Sequence, residues 1–266
     1  MQTLKMERKD YPAVGEAVYQ TTLRNGLKVF LLPKRDFNET YGIMTANFGS
    51  IDTYFIPRGS NQAIQYPAGV AHFLEHKLFE DENGQDLLQQ FVELGAESNA
   101  FTSFTKTSYL FLATDNVLEN VRLLQSLLEN AYFTEESVQR EQGIIQQEID
   151  MYKDNPDYCL FFHILANLYP DTPLAEDIAG SVESIAEITV EDLDENFETF
   201  YHPSNMSLLL IGNFDLEKTI AVIREQHESL KGIDEESLIR RFPLALNPVI
   251  STGSVRMEVA SSKLAI

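Results

Sequence analysis

Apolar and polar positions alternate from Ala17 to Pro33 in two runs, AVYQTTL and LKVFLLP, with Arg24-Asn25-Gly26 between them. Period-two alternation marks a half-buried strand, and Asn-Gly suits a tight turn, so the spacing predicts a hairpin. A third β-rich run, ETYGIMTANFGSIDTYF, follows, with Gly49 as a bulge or bend. The loop PRGSNQAIQYPAG then leads to Val70, where the period becomes that of a helix. DLLQQFVELGA predicts a second helix, apolar at Leu87, Leu88, Phe91, Val92 and Leu94 and ending near Gly95. SNAFTSFTKTSYLFLAT reads as strand, turn and strand, and NVLENVRLLQSLLENAYF as a strongly amphipathic helix. Thr134 is a good N-cap for EESVQREQGIIQQEIDMY, whose first-turn glutamates suit the helix dipole, and Asn155-Pro156 ends it.

The alternation continues downstream. YCLFFHILANLYP and TVEDLDENFETFY read as helices, NMSLLLIGNF as a buried strand and DLEKTIAVIREQHESL as a helix. Strands and helices in mixed order, with hairpins among the strands, indicate an α+β fold: an antiparallel-dominated mixed sheet with helices packed on it. Between Gly232 and Pro248 the pattern weakens, and EESLIRRFPLALNP reads as a linker. VRMEVASSKLAI then starts a strand-like run. The expected organisation is one domain over residues 1–232. Residues 233–266 are expected to hold a linker and the first strand of a truncated second domain.

Composition narrows the function classes. The chain has 266 residues, 44% of them hydrophobic and 11% aromatic, enough for a sizeable core and too much for disorder. The net charge of -21 argues against nucleic acid, which needs clustered Lys and Arg, and the carboxylates read as a solvated surface. No apolar run is long enough to span a bilayer, and the first fifteen residues carry no secretory pattern. The single cysteine, Cys159, excludes an internal disulfide and fits the reducing cytoplasm, the expected location. Its own expected role is an inert core residue.

The segment GVAHFLEHKLFE sets His72 and His76 four residues apart, with Glu75 directly before the second. On a helix, residues four apart lie one turn above each other, so both imidazoles project from one face. Two such nitrogens can reach one tetrahedral metal at roughly 2.0–2.1 Å. Glu75 leans over the same face, placed to take a proton from an activated water. His-x-x-Glu-His is the inverted form of the commoner zincin helix. With five histidines the pattern can arise by accident, but its helical setting after a glycine-containing loop favours a metal. A third ligand should be a carboxylate or imidazole, leaving a position open for water. Glu141 and Glu148 lie two turns apart on one predicted helix and face the same way, so one can ligate while the other supports. Spacing does not choose between them.

Four segments in order, GVAHFLEHKLFE, GAESNAFTSFTKTSYLF, REQGIIQQEIDMYKDNPD and FYHPSNMSLLLIGNFD, resemble the pitrilysin-type zinc metallopeptidases. That group includes insulysin and the mitochondrial processing peptidase, and the likeness is nearest to small bacterial, cytoplasmic members. It implies a metallopeptidase half-domain of the processing-peptidase type. It also implies one zinc ion held by His72, His76 and Glu148, with Glu75 as general base and Glu141 as a second acidic group supporting the site. Ser98, Asn99, Ala100, Phe101 and Thr102 match the edge segment that pairs with an extended substrate, and an open edge binds peptides by β-augmentation. The implied activity is endopeptidase cleavage of short or unfolded peptides.

Complete members carry a second, similarly folded half, which closes a chamber and supplies an arginine and a tyrosine. The expected partners are therefore a peptide substrate, the C-terminal half of the same protein, and a paralogous subunit or a second copy. The fragment alone is expected to be weakly active or inactive. The loop FIPRGSNQAIQYPAG is distinctive and is expected to reshape the entrance. Two rivals remain: a non-catalytic peptide-binding subunit of a heteromeric peptidase, against which the intact His72, Glu75 and His76 argue, and a zinc-stabilised structural module with no open position. His163 is expected to be a core histidine, His202 to make a local hydrogen bond, and His227 to be solvated near a helix end. Tyr109 and Phe101 are read as core aromatics before substrate contacts.

Overall fold

β1 (Glu7–Tyr11) pairs antiparallel with β2 (Glu16–Thr22), which turns at Asn25-Gly26 into the antiparallel β3 (Lys28–Pro33). The computed structural model describes residues 6–57, 60–81, 84–127, 131–227, 240–241, 246–259 and 261–265. The predicted third strand is two, β4 (Thr40–Ala46) and β5 (Tyr54–Ile56). Gly49 lies in the loop between them, where an added Cβ would come within 2.5 Å of the Ser103–Thr105 backbone. That loop is held there by Ser50 N donating to Ser103 O at 3.0 Å and Ile51 N to Phe104 O at 3.1 Å. β6 (Ile64–Gln65), inside the predicted entrance loop, pairs with β5.

Then come α1 (Val70–Lys77), α2 (Leu87–Glu93), β7 (Ala96–Thr102), β8 (Thr107–Ala113), α3 (Val117–Ser126) and α4 (Glu135–Lys153). α5 (Pro156–Leu168), α6 (Val182–Glu187), α7 (Val190–Phe200), β9 (Met206–Gly212), α8 (Leu216–His227) and β10 (Arg240–Arg241) complete the order. The fold is α+β. Seven strands form one sheet in the order β1-β2-β3-β9-β4-β8-β7, in which only β3 and β9 are parallel neighbours. β10, β5 and β6 form a second, antiparallel sheet. β4 buries Thr40, Gly42, Met44 and Ala46 and leaves the alternate residues half-buried, so one face of the large sheet carries the core. Phe73 and Leu74 of α1, Phe91 of α2, Val121 and Leu124 of α3 and Ile223 of α8 belong to the same hydrophobic core.

The helix signals behave as the caps require. Thr134 and Ser137 form a reciprocal capping box at the start of α4, and Asn155 caps α5 with Pro156 at its first position. α2 departs from its predicted apolar face: Phe91 alone is buried, and Val92 is 68% exposed. α5 departs further. Although its sequence is apolar all round, none of its residues is buried, because it packs on α4 from the outside. Cys159 is therefore half-buried and His163 exposed, correcting their expected core placement.

The strand-like run VRMEVASSKLAI is not a strand in the described residues 255–259 and 261–265. The C-terminal segment instead lies along α5, with Ile250 N donating to Asn167 O at 2.8 Å and Lys263 Nζ 2.7 Å from Asp157. A β-rich run becomes a strand only where a sheet edge accepts its hydrogen bonds. Most of the predicted linker, and the boundary at 232–233, lie outside the described residues. Among the described residues, no helix is long and apolar enough to cross a membrane.

Candidate metal centre

Pro67, Ala68 and Gly69 deliver the chain into α1, with Gly69 at φ 92°, in the left-handed region. α1 is buried on nearly every side. Val70, Phe73 and Leu74 sit in the core, and His72, Glu75 and Lys77 are buried beside them. Buried charges need partners. Lys77 pairs with Glu80, whose other oxygen accepts from Arg140 of α4 at 2.5 Å, tying the end of α1 to α4.

His72, His76 and Glu148 come together, with one donor atom from each lying within 4.8 Å of the others. Glu148 Oε2 is 3.4 Å from His76 Nε2 and 3.8 Å from His72 Nε2. Ligand atoms about 2.0–2.2 Å from a tetrahedral ion stand about 3.3–3.6 Å from one another, so the two Glu148 distances are close to the spacing a small divalent cation requires. Glu141 takes a different place. Its Oε1 is 2.9 Å from His76 Nδ1, on the far side of the ring from Glu148. An ionised carboxylate can only accept, so this bond puts a proton on Nδ1 and turns Nε2 toward Glu148. Two glutamates that spacing could not tell apart are thus separated by which ring nitrogen each meets.

The electrostatics suit a cation. Burial pushes His72 down to about 4, so its ring is neutral, and its buried Nδ1 has no hydrogen-bond partner among the described residues. Burial also acts to lower His76, but its hydrogen bonds to Glu141 and Glu148 overcome that and lift it to about 9. The His76 bond, with help from Tyr152, holds Glu148 down at about 2. A neutral imidazole, a second imidazole carrying a displaceable proton and an ionised carboxylate form a good donor set for a divalent metal.

Glu75 stands beside this cluster. Burial raises its carboxyl above the usual range, while Thr102 Oγ1, donating to Oε2 at 2.5 Å, opposes the shift. Glu75, His76, Ser98, Asn99, Ala100 and Glu141 line one open cleft of ≈ 510 Å³. β7 is the last strand of the large sheet and pairs only with β8 among the described residues. Ser98, Asn99, Ala100, Phe101 and Thr102 all lie on it. Phe101 is 39% exposed, whereas Tyr109, on β8, is fully buried with its hydroxyl 3.1 Å from that of Tyr201.

Three groups at the site escaped the reading of the sequence. Thr102 reads in the sequence only as an edge residue, because its contact with Glu75 joins a strand to a helix 27 residues away. Tyr152 donates to Glu148 Oε1 at 2.6 Å, and its i,i+4 spacing was the signal that could have found it. The Lys77–Glu80–Arg140 chain had an i,i+3 signal in its first pair alone. Of the other histidines, His202 makes the expected local bond, accepting at Nδ1 from Ser204 N at 3.3 Å. His227 corrects its expectation: it is 4% exposed, with Nδ1 3.2 Å from Asn25 Nδ2 in the β2–β3 turn.

Residues 53–182 match the family Insulinase (Peptidase family M16), and residues 187–266 match the Peptidase M16 inactive domain. The uncharacterized zinc protease YmfH of Bacillus subtilis strain 168 is 48% identical over 231 residues, covering 87% of this chain and 54% of that protein. The crystal structure of an M16-like peptidase from Alicyclobacillus acidocaldarius superposes with a TM-score of 0.79 at 37% identity, over 90% of this chain and 53% of that one. The first half of the periplasmic protease PqqL from Escherichia coli shares the fold, with a TM-score of 0.69 at 22% identity over 86% of this chain and 49% of that one. This chain spans about half the length of the curated relatives it matches. At 48% identity over 87% of its length to one relative, and with both family models matched along it, the chain belongs to the insulinase (M16) family of peptidases.

Proposed function

We propose that this chain is the metal-bearing part of a zinc-dependent endopeptidase acting on short or unfolded peptides. The observation that carries the reading is the convergence of His72, His76 and Glu148 beside Glu75, where Glu75 and His76 line a cleft with Ser98, Asn99 and Ala100 of the last sheet strand. One zinc ion would be held by His72, His76 and Glu148, and the zinc proteases among the relatives support that choice of metal. Bound there, zinc supplies Lewis-acid activation of water and of a peptide carbonyl.

The protein's own groups do the rest. Glu141 fixes the His76 ring through Nδ1. Glu75 accepts a proton at its carboxylate and returns it to the leaving amine, with Thr102 holding its Oε2. Ser98, Asn99, Ala100, Phe101 and Thr102 hold an extended peptide by its backbone along β7, which reads little side-chain sequence and suits unfolded substrates. The relatives are about twice as long, which supports a working enzyme with a C-terminal half beside this one. A paralogous subunit or second copy belongs to the same proposal.

The test is Glu75→Gln in the full-length protein. It should keep one zinc per chain by elemental analysis and lower peptide hydrolysis by about 10²-fold or more. Turnover at the wild-type rate in that variant would sink the assignment.

A further inference from the structure

Glu148 gives its two oxygens different partners. Oε2 faces His76 Nε2 at 3.4 Å and His72 Nε2 at 3.8 Å, while Oε1 accepts from the Tyr152 hydroxyl at 2.6 Å. Tyr152 lies one helical turn beyond Glu148 on α4, so phenol and carboxylate share a face. The terminal torsion of a glutamate is soft, and an unrestrained carboxylate would offer either oxygen, or both, to a cation.

The phenol is itself held. Its ring stacks on Tyr158 at the start of α5, with centroids 4.7 Å apart and planes 16° from parallel. Tyr158 Oη donates to Asp177 Oδ1 at 2.7 Å, and the same oxygen accepts from Ala179 N at 2.9 Å. The segment carrying Asp177 then meets the entry to α1. A Cβ on Gly69 would lie 2.5 Å from Ala179 O, one on Gly180 would lie 2.5 Å from Ala68 O, and Ser184 Oγ donates to Ala68 O at 2.8 Å. One loop thus buttresses the helix bearing both histidines and, through two tyrosines, the carboxylate facing them.

We propose that Tyr152 is a positioning residue for the metal centre: it engages Oε1 so that Glu148 presents Oε2 to the histidine pair, and Tyr158 with Asp177 holds Tyr152 in place. The proposal rests on the reading of His72, His76 and Glu148 as the metal site. Groups that orient ligands in this way are typically worth about 10- to 100-fold in metal affinity.

The test compares wild type, Tyr152→Phe and Tyr158→Phe by chelator competition for zinc and by the visible spectrum of the cobalt(II) forms. Circular dichroism of the metal-free chains reports folding. Tyr152→Phe keeps the stacked ring and removes only the hydroxyl. It should raise the zinc dissociation constant by about tenfold or more and change the cobalt spectrum. Tyr158→Phe leaves the bond to Glu148 untouched, releases its anchor at Asp177, and should weaken zinc by a smaller factor. It also keeps the proposal testable if the first variant misfolds. Wild-type zinc affinity and cobalt spectrum in both variants would overturn the positioning role while leaving the metal site standing. A wild-type chain that binds no zinc would overturn the metal site and this role with it.

Discussion

Thr102 is one hydroxyl on a strand edge, yet it is the group that touches the buried Glu75 carboxylate. Contacts of this kind determine what each residue can do, and His227 shows the same in a group remote from the site. Burial beside Asn25 pushes it down to about 4, whereas the unfolded chain protonates it near 6.5. The folded state therefore gains stability from the neutral ring that is fully present above about pH 6.5 and is lost as the pH falls toward 4. The effect is about 3 kcal/mol across the window. His227→Gln can still accept from Asn25, and urea unfolding between pH 6.5 and 5 should show a shallower loss of stability in it than in wild type. Equal slopes would mean that His227 is not the titrating group. The sequence could show that His227 ends a helix, but not that the β2–β3 turn closes over it, because Asn25 is 202 residues away.

At the scale of elements, the proposed metal site is an agreement between α1 and α4. Their internal geometry follows from local rules: His72 and His76 one turn apart, Glu141 and Glu148 two turns apart, Thr134 capping the second helix. Their mutual placement does not. It depends on His76–Glu141, on Lys77–Glu80–Arg140 and on the tight seat of Gly69 against Ala179. Gly69→Ala places a Cβ 2.5 Å from Ala179 O on a residue already at φ 92°, so both contact and backbone are strained. It should cost about 1–3 kcal/mol in chemical unfolding and weaken zinc binding in titration. A variant as stable as wild type, with unchanged affinity, would show that the seat does not set the register of the two helices.

Over the whole molecule, β7 ends the large sheet beside the cleft, and its outer edge is the surface proposed for peptide. If the backbone carries recognition, a bound peptide methylated on alternate amide nitrogens should lose at least about tenfold in affinity for the Glu75→Gln protein. A scrambled peptide should keep most of it. Loss on scrambling with no effect of methylation would place recognition in side-chain pockets instead. The two family matches meet between residues 182 and 187, yet β9, from the second, lies in the same sheet as β7 and β8, from the first. Ladders between strands distant in sequence, β3 with β9 and β9 with β4, join that sheet.

What the sequence by itself determined is whatever depends on neighbours a few residues apart: the β2–β3 hairpin, the strands around Ser103–Lys106, the capped α4, and a helix with two histidines and a glutamate on one face. Tertiary structure decided what depends on elements meeting. Glu148 faces the histidine pair while Glu141 stands behind one ring, Tyr152 is locked by α5, and the apolar α5 stays outside the core. VRMEVASSKLAI reads like a strand and is not one over its described residues. The reason is the same in each case. Periodicity and capping act through bonds along one chain segment, whereas a ligand set, a buried histidine or a sheet edge depends on which surfaces pack together.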